Sequence, residues 1–308
     1  MPSFQSKVVL GALRRGKGFF SRVGGSLMQN VHFPDQMVAD FSMDKIRGEL
    51  FPLSPVPALM LLPPESAPPG YLIVHCHGGA YVSGGLTQAR AIAALICGAA
   101  HISTVTFAYR LAPEHPYPAA LEDALALWDA VLAAGYAPEH IVLAGESAGG
   151  NLCLALCQAL QSEGRPLPAA MALLSPWADL LQTGPSYQAL KDVDATLSAP
   201  ELMQSALDYA GGQEALLHDP MLSPVYADFA GFPPTQIHVG TSELLLSDAE
   251  TLAERMRQAG VEVALLRWAG MCHVFQMFGF PESRESLKAV GQFLREHLKL
   301  APTNEKEG

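Results

Sequence analysis

The residues with the clearest chemical potential lie in "HIVLAGESAGGNLCLALCQAL", where an apolar run reaches Gly145-Glu146-Ser147-Ala148-Gly149 and a helical pattern starts at once. A Gly-x-Ser-x-Gly turn between strand and helix is the nucleophile-elbow arrangement. Its glycines let two backbones pass closely, and the serine is forced into a strained conformation with its hydroxyl presented. The helix that follows places its positive end beneath that hydroxyl. The motif alone is weak, and a helix-capping serine in a tight turn would match it equally; the strand before and the helix after carry the argument. A serine nucleophile attacking a carbonyl needs donors for the oxyanion it creates. The elbow offers the N–H of Ala148. A second source is "IVHCHGGAYVSGG", where an apolar strand runs into His77-Gly78-Gly79-Ala80 and small residues let consecutive N–H groups face a cavity. A plain glycine-rich turn is the simpler reading of that segment taken alone.

These two segments, with "YRLAPEHPYPAALEDA" at 109–124, resemble the bacterial hormone-sensitive-lipase-like (family IV) carboxylesterases of the α/β-hydrolase fold, over roughly residues 70–300. Many members carry His-Gly-Gly-Gly, and here Ala80 stands third, which keeps the N–H. The resemblance implies an α/β fold with a mostly parallel central sheet and a helical cap. It also implies hydrolysis of short-chain carboxylic esters through an acyl-enzyme, without cofactor or metal. The chain order of such a triad is serine, acid, histidine. Downstream of Ser147, His238 falls inside a predicted strand, His297 in the final helix and His218 in a presumptive cap. His273, in "WAGMCHVFQMF" beyond the last strand, is the expected base, and the family's closing motif is similar to "GMCHVF". For the acid, Glu243 and Asp248 both follow the strand before it. Alignment with the family's Asp-Pro-Leu-x-Asp segment puts Glu243 at the catalytic position, and the loop just past a strand end is where a triad acid sits. Asp248 then serves the helix dipole.

The roles expected are therefore Ser147 as nucleophile, His273 as base, Glu243 as orienting acid, and an oxyanion hole of Gly78, Gly79, Ala80 and Ala148. Tyr81 and Trp177 are expected to contact substrate. Glu146 is expected to make a structural hydrogen bond or ion pair, with Arg110 a candidate partner. His75 and His77 share a strand face, but no third ligand at zinc spacing accompanies them. An amidase or peptidase could use the same residues. A ligand-binding receptor on this fold is the non-catalytic alternative; the plant gibberellin receptor resembles these esterases and lacks the triad histidine, which His273 supplies here.

The elements that must position these residues follow from periodicity. Apolar runs at 56–62, 71–77, 102–109, 140–145, 169–176, 235–241 and 261–268 alternate with helical patterns at about 86–100, 118–134, 148–163, 248–260 and 284–298. Uniformly apolar strands with helices between them predict a doubly wound parallel sheet. The stretch 178–232 has helical patterns near 185–191 and 199–210 and no strong strand, which predicts a cap insertion. Residues 1–50 show amphipathic helical spacing (Val8, Leu10, Leu13, then Phe19, Phe20, Val23) with no core of their own, predicting an N-terminal helical cap segment. The catalytic domain then spans 51–300 and a polar tail 301–308.

Composition narrows the function classes. The 308 residues are 49% hydrophobic and 16% charged, with a net charge of −11. That balance excludes a mainly disordered chain and disfavours nucleic acid and anionic membrane as partners. Five cysteines without CxxC spacing (Cys76, Cys97, Cys153, Cys157, Cys272) predict buried thiols in a cytoplasmic protein. The basic residues Arg14, Arg15 and Lys17 follow the apolar "VVLGAL", the wrong order for a secretory signal. A small ester is the expected partner, and the resemblance implies a homodimer through the last strand edge.

Overall fold

The computed structural model describes residues 2–15, 41–64 and 67–301. Phe19, Phe20 and Val23 and tail residues 302–308 lie outside them. Eight strands form one sheet: β1 (Arg47–Leu50), β2 (Ala58–Leu62), β3 (Leu72–Cys76), β4 (Thr104–Phe107), β5 (Ile141–Glu146), β6 (Ala170–Leu174), β7 (Thr235–Gly240) and β8 (Val263–Trp268). Their order is β1-β2-β4-β3-β5-β6-β7-β8. β1 pairs antiparallel with β2 and β2 with β4, and every other pairing is parallel.

The helices are α1 (Phe4–Arg15), α2 (Leu86–Ala100), α3 (Ala119–Ala133), α4 (Ala148–Ser162), α5 (Ser186–Ala189), α6 (Ala199–Tyr209), α7 (Leu246–Gln258) and α8 (Pro281–His297). Both faces of the sheet are covered, so β3 to β7 are buried along their whole length. Alternate residues of one strand serve opposite cores. Ile73 meets Ile92, Leu95 and Leu294 of α2 and α8, whereas Leu72 and Val74 join Leu127, Trp128, Leu152 and Leu156 of α3 and α4.

All seven expected strands are present. β1 is additional and moves the start of the sheet to Arg47, ahead of the expected boundary at residue 51. Its four residues Arg-Gly-Glu-Leu are exposed, so no apolar pattern marked them; backbone pairing with β2 holds them at the sheet edge. Residues 178–232 contain α5, α6 and three-ten turns and no strand, as the composition predicted. They rest on α4: Asn151 Nδ2 donates to Leu222 O at 2.7 Å, Gln158 Nε2 to Pro220 O at 2.9 Å, and Gln161 Nε2 to Ala230 O at 2.6 Å.

The N-terminal helix α1 indeed has no core of its own. Leu10 is buried against Met271, Cys272, Phe275 and Phe280. Ser3 donates its N–H and hydroxyl to the two carboxylate oxygens of Glu282, at 2.5 and 3.0 Å.

Helices α2 and α8 cross on one face of the sheet at Gly291, where an added Cβ would lie 2.3 Å from Ala99 O. Glycine costs a helix interior about 1 kcal/mol relative to alanine, and only this close approach explains it. Gly291→Ala should therefore lower stability by about 1–3 kcal/mol, the cost of overpacking, although it raises helix propensity. Urea unfolding followed by circular dichroism measures it, and a gain in stability would contradict the crossing.

Candidate functional site

The site begins at the elbow. Ser147 joins β5 to α4 with φ 55° and ψ −122°, a conformation that L-residues rarely adopt. Two close approaches make room for it. A Cβ on Gly145 would lie 2.5 Å from Gly149 O, and one on Gly149 would lie 2.0 Å from Cys76 O and 2.6 Å from His77 O. Ser147 N donates to Leu174 O at 2.9 Å, and Ser147 O accepts from Gly150 N and Trp177 N at 3.0 and 3.1 Å. The serine is thus fastened by its backbone, and its side chain has no hydrogen-bond partner among the described residues.

Beside it runs the loop after β3. His77 Nδ1 lies 2.6 Å from Gly78 O; a carbonyl only accepts, so Nδ1 carries the proton. Burial lowers the pKa of His77 and keeps it neutral. The C=O of Gly78 and the N–H of Gly79 share one rigid peptide plane and point in opposite directions. Fixing the carbonyl on His77 therefore turns the Gly79 N–H away from it. The next carbonyl, Gly79 O, accepts from Val82 N, Ser83 N and Ser83 Oγ at 3.0–3.1 Å, which fixes the Ala80 N–H in the same manner. Gly79 sits at φ 118° and Ala80 at φ 53°. Among the described residues no acceptor meets the N–H of Gly79, Ala80 or Ala148. Gly78 differs from this expectation. Its N–H donates to Glu146 Oε1 at 2.6 Å, so it is spent on structure and leaves the oxyanion set.

The histidine and the acid arrive from β8 and β7. His273 Nδ1 stands 3.5 Å from Glu243 Oε1, a long contact of the kind that tightens when substrate binds. Glu243 is fully buried; its Oε2 accepts from Ser175 Oγ at 2.9 Å and Gly240 N at 3.1 Å. Burial raises its pKa, and the His273 and Ser175 hydrogen bonds oppose that rise while Asp194 adds to it. Ser175 also accepts from Val274 N at 3.2 Å, next to His273. It is the residue after Leu174, whose carbonyl holds Ser147 N. Ser147 and His273 are thus linked through the end of β6 rather than by a side-chain hydrogen bond. Ser175 was not anticipated; its signal was only its place at the end of a central strand, level with the elbow.

The remaining expected residues have other partners. Asp248 lies in the first turn of α7 and is taken up by other partners. Its Oδ2 accepts from Ala178 N at 3.0 Å, Asp179 N at 2.9 Å and the Tyr187 hydroxyl at 3.1 Å. Tyr81 is fully buried, stacked on Tyr209 at 3.7 Å, and its hydroxyl donates to Asn151 Oδ1 at 2.8 Å. Trp177 is fully buried too, and its carbonyl accepts from Asn151 Nδ2 at 2.8 Å. Both were expected to touch substrate; both instead support the loops around the site, with Asn151 as their unanticipated common partner. Glu146 pairs with His75, not Arg110, which binds Asp123 and Glu122. His238 is enclosed by Gln236, Trp268 and Ser286, and burial pushes it down to about 3. His297 leans on Phe293. The five cysteines are buried.

A matching family model, described as the α/β-hydrolase fold, spans residues 73–277. An acetyl-hydrolase of Streptomyces hygroscopicus is 37% identical, over 73% of this chain and 76% of its own. An esterase of Acinetobacter venetianus is 36% identical, over 72% of this chain and 74% of its own. The crystal structure of an esterase from the bacterial hormone-sensitive-lipase family superposes with a TM-score of 0.86 at 34% identity, covering 97% of this chain and 99% of that one.

Asp248 gives the site a measurable pH signature. Burial holds its pKa well above the ordinary 3.8; nearby Asp179 adds to this, and the three donors oppose it. A carboxyl raised in the folded state favours folding while protonated, and that contribution fades as pH climbs past the ordinary carboxylate value toward the raised one. Asp248→Asn stays neutral throughout. Its stability relative to the parent should rise as pH is increased from about 4, read by urea unfolding at several pH values; a flat difference would contradict a protonated Asp248.

Proposed function

The chain belongs to the bacterial hormone-sensitive-lipase family of α/β-hydrolase-fold esterases, and on that premise we propose that it hydrolyses short-chain carboxylic esters with Ser147, His273 and Glu243. The observation that carries the assignment of the acid is the Glu243 carboxylate facing His273 Nδ1, while Asp248 is engaged by the backbone of 178 and 179. In this reading His273 Nε2 removes the Ser147 proton as Oγ attacks the acyl carbon. Glu243 holds Nδ1–H in place and stabilises the imidazolium. The oxyanion receives the N–H groups of Gly79, Ala80 and Ala148, which have no other acceptor among the described residues. The imidazolium then gives its proton to the leaving alcohol, and water, deprotonated by the same base, releases the acid and restores Ser147.

The residues 178–232 resting on α4 serve as the cap over this edge. Their apolar side chains set the acyl length admitted, and β8, as last strand, is the surface for pairing with a second copy.

Two measurements test the reading. A fluorophosphonate probe should label Ser147, located by peptide mapping, and the label should be lost in Ser147→Ala and strongly reduced in His273→Ala. With p-nitrophenyl butyrate, Ser147→Ala and His273→Ala should each lower kcat by about 10³-fold or more. Glu243→Ala should cost more in kcat than Asp248→Ala, and the opposite order would overturn the acid. Wild-type protein inert toward both ester and probe would leave the receptor reading.

A further inference from the structure

Glu146 is the last residue of β5, adjacent to Ser147, and is only 5% exposed. Its two oxygens have separate partners. Oε1 accepts the Gly78 N–H at 2.6 Å, and Oε2 lies 2.8 Å from Nε2 of the fully buried His75. A carboxylate only accepts, so His75 Nε2 carries a proton, and Nδ1 shares a hydrogen bond with Thr106 Oγ1 at 2.9 Å, whose hydroxyl also meets His75 O at 3.3 Å. One hydrogen-bond chain therefore runs from Thr106 on β4, through His75 on β3, to Glu146 on β5, and ends on the first residue of the loop that carries Gly79 and Ala80.

The same peptide is held from its other end. Its carbonyl, His77 O, accepts the Tyr109 hydroxyl at 2.8 Å. With N–H and C=O both engaged, the plane of the 77–78 peptide has one orientation, and the loop leaves the sheet in one direction. Gly78 also rests on the elbow itself: an added Cβ would stand 3.0 Å from Glu146 O and 3.2 Å from Ser147 Cβ. A buried carboxylate must have its lone pairs met, and here both donors belong to the strand and loop on the oxyanion side. The cation expected beside it, Arg110, is held by Asp123 and Glu122.

We propose that Glu146, backed by His75 and Thr106, is a positioning residue that fixes the spacing between the loop donors Gly79 and Ala80 and the elbow donor Ala148. The proposal rests on the esterase reading above and adds the group that assembles the two halves of its oxyanion hole. Glu146 touches neither substrate nor the reacting proton; it acts by holding Gly78 against the residue next to the nucleophile.

The experiment compares Glu146→Ala, Glu146→Gln and His75→Ala in kcat and KM for p-nitrophenyl butyrate, and in inhibition by an aryl trifluoromethyl ketone, which forms a tetrahedral adduct. Displaced donors weaken transition-state stabilisation and not ground-state binding, so Glu146→Ala should lower kcat about a hundredfold with KM nearly unchanged. The inhibition constant should rise in step with the loss of kcat. Glu146→Gln keeps an oxygen for the Gly78 N–H and should stay within about tenfold of wild type. If Glu146→Ala fails to fold, His75→Ala is read in the same way, with an expected loss of about tenfold in kcat. The proposal is overturned by a folded Glu146→Ala or His75→Ala with unchanged kcat and inhibition, by a loss confined to KM, or by Glu146→Gln as impaired as Glu146→Ala. Wild-type protein without esterase activity would instead remove the esterase reading.

Discussion

Gly149 lies against the carbonyls of Cys76 and His77 so closely that a single methyl would have no place. That contact between the elbow helix and the end of β3 is the constraint on which the site depends. It brings the elbow turn beside the loop that carries Gly78, Gly79 and Ala80. Strain at Ser147 is the local counterpart. The backbone tolerates φ 55° because Leu174, Gly150 and Trp177 hold the residue's own N–H and C=O. A less supported turn would relax and withdraw the hydroxyl.

Buried carboxylates form the second layer. Glu146, Glu243 and Asp248 are each at least nine-tenths buried, and each binds a different loop at the same sheet edge. Glu146 holds the loop after β3, Glu243 faces the histidine loop after β8, and Asp248 holds the N–H groups of 178 and 179 beyond β6. Burying an acid without partners is costly, so these groups specify geometry: each loop must present its donors where the carboxylate is, or the acid must take a proton. Asp248 shows that second outcome in part, with its pKa raised well above the ordinary value.

Much of this was legible in the sequence because it rests on short-range pattern. Seven strands were announced by apolar runs, the elbow by two glycines around a serine, and the histidine loop by its position after the last strand. What escaped reading depends on contacts between distant segments. β1 is polar and exposed, and only its pairing with β2 makes it a strand. Ser175 and Asn151 are ordinary polar residues until the fold sets them beside Glu243 and Tyr81. Tyr81 follows His77-Gly78-Gly79-Ala80 in sequence and Trp177 stands where a strand meets the expected cap, which suggested pocket walls, but side-chain direction is a tertiary property and both are fully buried. Gly78 has the composition of an oxyanion donor, and one carboxylate elsewhere in the chain gives its N–H a different use.

The attachment of α1 has a consequence for how the molecule comes into being. Ser3 meets Glu282 across a separation of 279 residues, and Leu10 rests on Met271, Phe275 and Phe280. During synthesis α1 leaves the ribosome long before Glu282 and the loop ahead of it, so it has no docking surface until they have followed. Domains generally fold as units; here α1 must wait for residues 271–282 before it can pack beside the loop on which His273 is carried. Helix α1 is thus one of the last parts of this fold to find a place.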